Sequence, residues 1–176
     1  RRMGSSTEAQ QWIEWFIELE SRGWKGEAGT ALAEDRTARE FFTNVMLGAA
    51  RNKRLQALGL WLDDRPIALK LNLLASPGSF AFKIAYDEEF YRFSPGVLLE
   101  LENIRLFHDH GDAAWMDSCA APNHPMINRI WRDRILIQQS LLSTGTFRGN
   151  LAVGFRPLGR VLKHIFKRTR TPERRG

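Results

Sequence analysis

Apolar positions in the first part of the chain recur at helical spacing. Thr7 and Gln10 stand three apart, as in a capping box, and Trp12, Ile13, Phe16 and Ile17 follow on one face. Trp15 and Leu19 widen that face, so this helix needs a partner surface. It is predicted to end near Arg22-Gly23, ahead of a loop in which Gly23, Gly26 and Gly29 fall within seven residues. Ala38, Phe41, Phe42, Val45, Met46 and Ala49 then form a second amphipathic stripe, which predicts a helix over 35–51.

The period next changes to two. Residues 55–62, 67–74 and 80–86 read as strands: Ile67, Leu69, Leu71 and Leu73 alternate with Ala68, Lys70 and Asn72, and Phe80, Phe82, Ile84 and Tyr86 do likewise. Asp63-Asp64-Arg65-Pro66 and Ser76-Pro77-Gly78 supply turn chemistry between them, which predicts an antiparallel meander. Ser94-Pro95-Gly96 reads as a helix start, with serine at the N-cap and proline at the first helical position. Val97, Leu98, Leu101 and Ile104 continue that helix, and Gly111 is its expected stop. A short strand over 113–116 follows; a strand, a helix and a strand make a crossover, so it should lie parallel to its predecessor. A short helix or turn over 122–128, a strand over 135–142 and a basic amphipathic helix with Leu158, Val161, Leu162, Ile165 and Phe166 complete the expected elements. The predicted fold is a mixed α/β sheet, an antiparallel meander followed by a parallel β-α-β crossover, with helices on both faces.

Composition narrows the class. The chain has 176 residues, 43% of them hydrophobic, which suits one domain with a real core and excludes a disordered protein. One cysteine, Cys119, excludes an internal disulfide framework. No apolar run approaches the roughly 18 residues of a membrane span, and Arg1–Ser6 has no apolar signal-peptide core. A cytoplasmic globular domain is expected. The formal charge of +6 hides an asymmetry: residues 156–176 hold eight basic residues and one acid, Glu173, so the remainder is near neutral at −1. The expected division is a single domain over 1–155 and a basic amphipathic helix with a disordered tail over 156–176. That end could pack on the domain, lie on an anionic membrane at the inner face beside a polysaccharide synthase, or bind nucleic acid. No base-stacking aromatic pattern accompanies the charges, which disfavours specific RNA readout.

Two segments carry a family resemblance. Leu19-Glu20-Ser21-Arg22-Gly23-Trp24-Lys25-Gly26, continuing to Gly29-Thr30-Ala31-Leu32, resembles a signature of GNAT acetyltransferases of the cellulose- and exopolysaccharide-biosynthesis type. So does Lys83-Ile84-Ala85-Tyr86-Asp87-Glu88-Glu89-Phe90-Tyr91 leading into Ser94-Pro95-Gly96-Val97-Leu98-Leu99. The resemblance covers roughly residues 12–142 and implies a GNAT-like domain using acetyl-CoA or another acyl-CoA as donor. It further implies acyl transfer to a sugar amine or hydroxyl and a partner in a preceding GNAT-like half of the same protein. The same double architecture occurs in Fem-type transferases, which use aminoacyl-tRNA, and that alternative stays open. So does a catalytically silent half that binds acceptor or partner.

Site expectations follow from the resemblance and from side-chain chemistry. Ser94, Gly96 and Val97 stand where a GNAT helix N-terminus takes the donor pyrophosphate, although the usual Gln/Arg-x-x-Gly-x-Gly/Ala pattern is absent. Trp24, Lys25 and Thr30 in the glycine-rich loop are expected to line the acceptor pocket, Lys25 meeting an anionic group and Trp24 stacking on a sugar. Acyl transfer needs a base for the acceptor proton and an acid for the thiolate. Tyr86 is a candidate acid, and Asp87, Asp117 and His124 are candidate bases. Arg129 stands about where family members carry a Tyr-Lys pair, and replaces the lysine charge without the hydroxyl. Cys119 with His124 is the alternative nucleophile pair. His108, Asp109 and His110 only superficially resemble a metal cluster, because neighbouring residues on a helix point apart, and no metal is expected.

Overall fold

The computed structural model describes residues 1–23, 32–111, 113–138, 140, 142–143 and 145–155. Two compact units are present, Arg1–Arg132 and Asp133–Gly176.

In the first unit a 3₁₀ turn at Ser6–Glu8 leads into α1 (Ala9–Ser21), and α2 (Arg36–Arg51) follows. The Asp35 carboxylate starts α2 by accepting from the Thr37 and Ala38 amides at 2.8 and 3.0 Å. Strands β1 (Leu55–Leu62), β2 (Arg65–Ala75) and β3 (Gly78–Tyr86) form the antiparallel meander. A 3₁₀ segment (Glu88–Phe93), α3 (Pro95–His110), β4 (Trp115–Asp117) and a short α4 (Ile127–Ile130) complete it. Sheet order is β1-β2-β3-β4, with β3 and β4 parallel.

The two faces of the sheet are both covered. Leu55 and Ala57 of β1, Leu69 and Leu71 of β2 and Ala85 of β3 point to α1 and α2, meeting Ile13, Phe16, Phe42 and Met46 in the larger core. Leu58 and Ala68 point the other way and pack with Leu99 of α3. The strict alternation of strand side chains makes one sequence serve both layers. Gly59 is required where Trp61 folds back, since a Cβ there would lie 2.1 Å from the indole. Trp61 thereby joins Trp12 and Trp15 in an edge-to-face cluster at 5.0 and 5.9 Å.

The strand expected over 135–142 does not form: the described residues there are irregular, and Ile135, Leu136, Ile137 and Leu142 are exposed. A run of apolar residues, Ile135 and Ile137 among them, suggested a strand, but propensity alone does not decide one. The described residues 147–155 are helical, which the sequence did not signal. The expected final helix, carrying Leu158 to Phe166, lies outside the described residues.

Candidate functional site

The pairing of β3 with β4 is brief. Gly78, Ser79 and Phe80 lie opposite Trp115, Met116 and Asp117, and β4 then ends. Gly78 is needed for this contact: a Cβ would lie 2.4 Å from the Trp115 ring, which also meets Phe80 edge-on at 5.2 Å. Among the described residues no strand continues along that edge, so Ala81–Tyr86 present an unpaired row of backbone groups. A β-bulge falls within this stretch: Leu71 opposes Lys83 and Asn72 opposes Ala81, leaving Phe82 as the extra residue.

The other end of this edge is the junction of β3 with α3. Tyr86 ends β3, half-buried, with its ring on Gly96: a Cβ at Gly96 would stand 3.3 Å from the Tyr86 ring. Asp87 is buried, and one carboxylate oxygen accepts from the Glu89 amide at 3.1 Å. Its other oxygen forms an ion pair with Arg65, which also meets Glu89 at 3.2 Å and lies over the Phe90 ring at 5.9 Å. The Asp87 carboxylate is the main cause that raises the Arg65 guanidinium above its ordinary range. Arg65 therefore fastens the start of β2 to the segment that enters α3.

Ser94 stands at the N-cap of α3, as its sequence position predicts, but in a left-handed conformation (φ 51°, ψ 52°) and without a side-chain cap bond. Its carbonyl accepts from both Val97 and Leu98, at 2.9 and 3.1 Å. Pro95 has no N–H to offer. Among the described residues the Gly96 N–H has no backbone acceptor, and Gly96 itself is buried against the Tyr86 ring.

α3 is fastened to the sheet by buried polar groups that sequence reasoning missed. Lys70 and Glu100 pair at 2.6 Å, 3% and 0% exposed. Glu100 also accepts from Trp131 Nε1 and Asn103 Nδ2, both at 3.2 Å. Asn72 donates to Asn103 at 2.6 Å and to Gln56 at 2.9 Å, and Asn103 reaches the Met116 sulfur at 3.2 Å. Lys70 and Asn72 stand in the polar phase of the β2 alternation, and the signal for their burial was the partner pair Glu100 and Asn103, three residues apart on the covering helix. On the opposite face, Glu20 of α1 is buried, pairs with Lys83 at 3.1 Å and accepts from the Leu32 amide at 3.1 Å. It borders a cavity of about 40 Å³ lined by Leu19, Gly23, Ile84, Ala85, Tyr86 and Glu88.

The remaining candidates are scattered. Asp117 closes β4 and accepts from the Cys119 amide at 2.8 Å. Level with Phe80, it is roughly 15–20 Å along the sheet from Tyr86, by the rise of a strand. His124 Nδ1 accepts from the Ile127 amide at 3.3 Å, starting α4, on which Arg129 is exposed. The Cys119 sulfur lies 3.8 Å from the Asp117 carbonyl. Burial, and then the Asp117 carboxylate, push its thiol above the usual range, with a smaller opposite pull from Lys70. Among the described residues no group of His, Cys, Asp and Glu could hold a metal ion. Trp24, Lys25 and Thr30 lie outside the described residues.

Comparison with known proteins follows this geometry. Residues 1–124 match the family model described as "Acetyltransferase (GNAT) domain". A search of curated proteins finds no match. Among solved structures, a GCN5-related N-acetyltransferase from Ralstonia eutropha JMP134 is 12% identical, with 81% of this chain and 96% of that one covered at a TM-score of 0.60. Aminoglycoside acetyltransferase meta-AAC0020 from an uncultured soil metagenomic sample, in complex with sisomicin, is 10% identical over 81% and 94% at 0.53. AAC(6')-Iy, holding the bisubstrate analog CoA-S-monomethyl-acetylneamine, is 16% identical over 80% and 95% at 0.51. Likeness at this level of identity shows the fold.

Proposed function

Because the chain belongs to the GNAT acetyltransferase domain family, we propose that it moves an acyl group from an acyl-CoA thioester to a sugar amine or hydroxyl. The donor would run along the open edge of β3. The observation that carries this reading is the three-residue β3–β4 pairing, beyond which no described strand pairs with the backbone of Ala81–Tyr86. Strand-edge N–H and C=O groups suit the amides of a pantetheine arm in the way that they suit another strand.

The residues fit such a donor unevenly. The edge fits in length and polarity, and Gly96 with the α3 dipole suits a phosphate. An anion at Gly96 puts the thioester end near Phe80–Phe82 and Asp117, since the arm runs back along the strand. When bound, the donor supplies an activated acyl carbon; the chain supplies position and proton traffic. Asp117 is then the residue placed to take the acceptor proton. Tyr86 borders the phosphate end instead of the sulfur, and Asp87 holds the entry to α3 through Arg65. The Glu20–Lys83 side of β3 is the acceptor side in this reading.

One observation favours a silent half: Val97 and Leu98 spend their amides on the Ser94 carbonyl, so the phosphate cradle is small. Calorimetry with acetyl-CoA, CoA and charged tRNA separates the readings. Binding of CoA that is lost in Gly96→Glu, together with thiol release that depends on an amino or hydroxyl sugar, supports the acyltransferase. Binding of charged tRNA alone favours the Fem-type alternative, and binding of no donor favours the silent half.

A further inference from the structure

β4 is three residues long and pairs with β3 only at Gly78–Phe80. One more backbone bond, from the Ala114 amide to the Pro77 carbonyl at 2.8 Å, extends that contact. So short a strand depends on its side chains for its place. Trp115 sets its ring where a Cβ on Gly78 would be, and meets Phe80 edge-on. Met116 turns to the other side of the sheet, by the alternation of a strand, and its sulfur accepts from Asn103 Nδ2 of α3 at 3.2 Å. The next residue is Asp117, which ends the strand.

Asn103 is 1% exposed, and its partners fix which way its amide points. Glu100, paired with Lys70, can only accept, so the nitrogen of Asn103 must face it, at 3.2 Å. The oxygen of Asn103 then accepts from Asn72 Nδ2 at 2.6 Å, and Asn72 Nδ2 also donates to Gln56 at 2.9 Å. Reversing the Asn103 amide would set donor against donor at Asn72 and acceptor against acceptor at Glu100. The N–H aimed at Met116 is therefore anchored through β2, itself paired to β1. A thioether is a weak acceptor, so this bond acts through its direction more than its strength.

We propose that Asn103 is a positioning residue: through Met116 it sets how β4 lies against β3, and so where the Asp117 carboxylate stands. What Asp117 does there rests on the acyl-transfer reading, whereas the hold of Asn103 on β4 does not.

Amide exchange on the full chain tests that hold. Met116→Leu keeps the bulk and removes the acceptor, so its melting temperature should stay within a few degrees of the parent. Exchange at 115–119 should nonetheless quicken about three- to tenfold, the range for one lost hydrogen bond. Asn103→Ala should quicken it too, and adding Met116→Leu to that variant should change little more, because both remove the same contact. Met116→Gln restores an acceptor and should return exchange close to the parental rate. With acetyl-CoA and glucosamine, kcat should fall by a similar factor in Met116→Leu, with KM for acetyl-CoA unchanged, and recover in Met116→Gln. Parental exchange at 115–119 in Met116→Leu, or additive effects in the double variant, overturns the hold on β4. Quickened exchange with a parental kcat overturns its tie to Asp117. Quickened exchange in a chain whose parent does not acylate glucosamine supports the hold and counts against the acyl-transfer reading for that sugar.

Discussion

Lys70 and Glu100 face each other at 2.6 Å in the interior, where neither charge has water. Such a pair adds little net stability, but removing one partner strands the other. Lys70→Met is expected to cost about 3–5 kcal/mol in denaturant unfolding. Adding Glu100→Gln should recover most of that loss, because a neutral amide still accepts from Trp131 and Asn103. Cys119 gives a pH-dependent prediction. A thiol held above its usual range carries less thiolate at a given pH, so iodoacetamide should alkylate Cys119 more slowly at mild alkaline pH than it alkylates free cysteine. The rate should rise with pH to a midpoint above the ordinary one. Asp117→Asn should restore only part of the difference, because burial is the larger cause. Alkylation as fast as free cysteine would remove this account of the site.

Among the elements, the 3₁₀ segment between β3 and α3 is held from outside by Arg65. Arg65→Met should leave the melting temperature within a few degrees while amide exchange at Glu88–Phe93 accelerates and CoA affinity falls about tenfold. Unchanged exchange there would show that Asp87 and the helix start suffice. The helices α1, α2 and α3 and the meander were legible in the sequence, because each has an apolar period, a cap or a turn signal of its own. Gly111 ends α3 in the left-handed conformation that glycine favours, as expected (φ 65°). The parallel lie of β4 was legible from connection length alone, and the structure bears it out. The bulge at Phe82 was not legible, since an unpaired residue leaves no mark in a strand whose polar and apolar positions still alternate. The burial of the Lys70–Glu100 pair was not legible for a related reason: period-two patterning records which residues share a face, and not which of them meet a polar group on the covering helix. The 147–155 helix was missed because its two glycines weaken the helical signal.

At the scale of the whole molecule, the sequence joins a near-neutral portion to a basic end. The domain over Arg1–Arg132 holds a mixed sheet whose parallel pair, at one edge, runs for three residues, and its family is that of GNAT acetyltransferase domains. Site residues that looked like one constellation are strung along the strand, because Tyr86 is six residues past the level of Asp117. An extended donor explains that spread and a compact catalytic triad does not. Hydrogen exchange of the full chain with and without CoA tests this most directly. The account predicts slowed exchange at 81–86 and at 96–98, with 55–62 unchanged. CoA binding that leaves the edge of β3 unprotected, or protects only another part of the molecule, would contradict it.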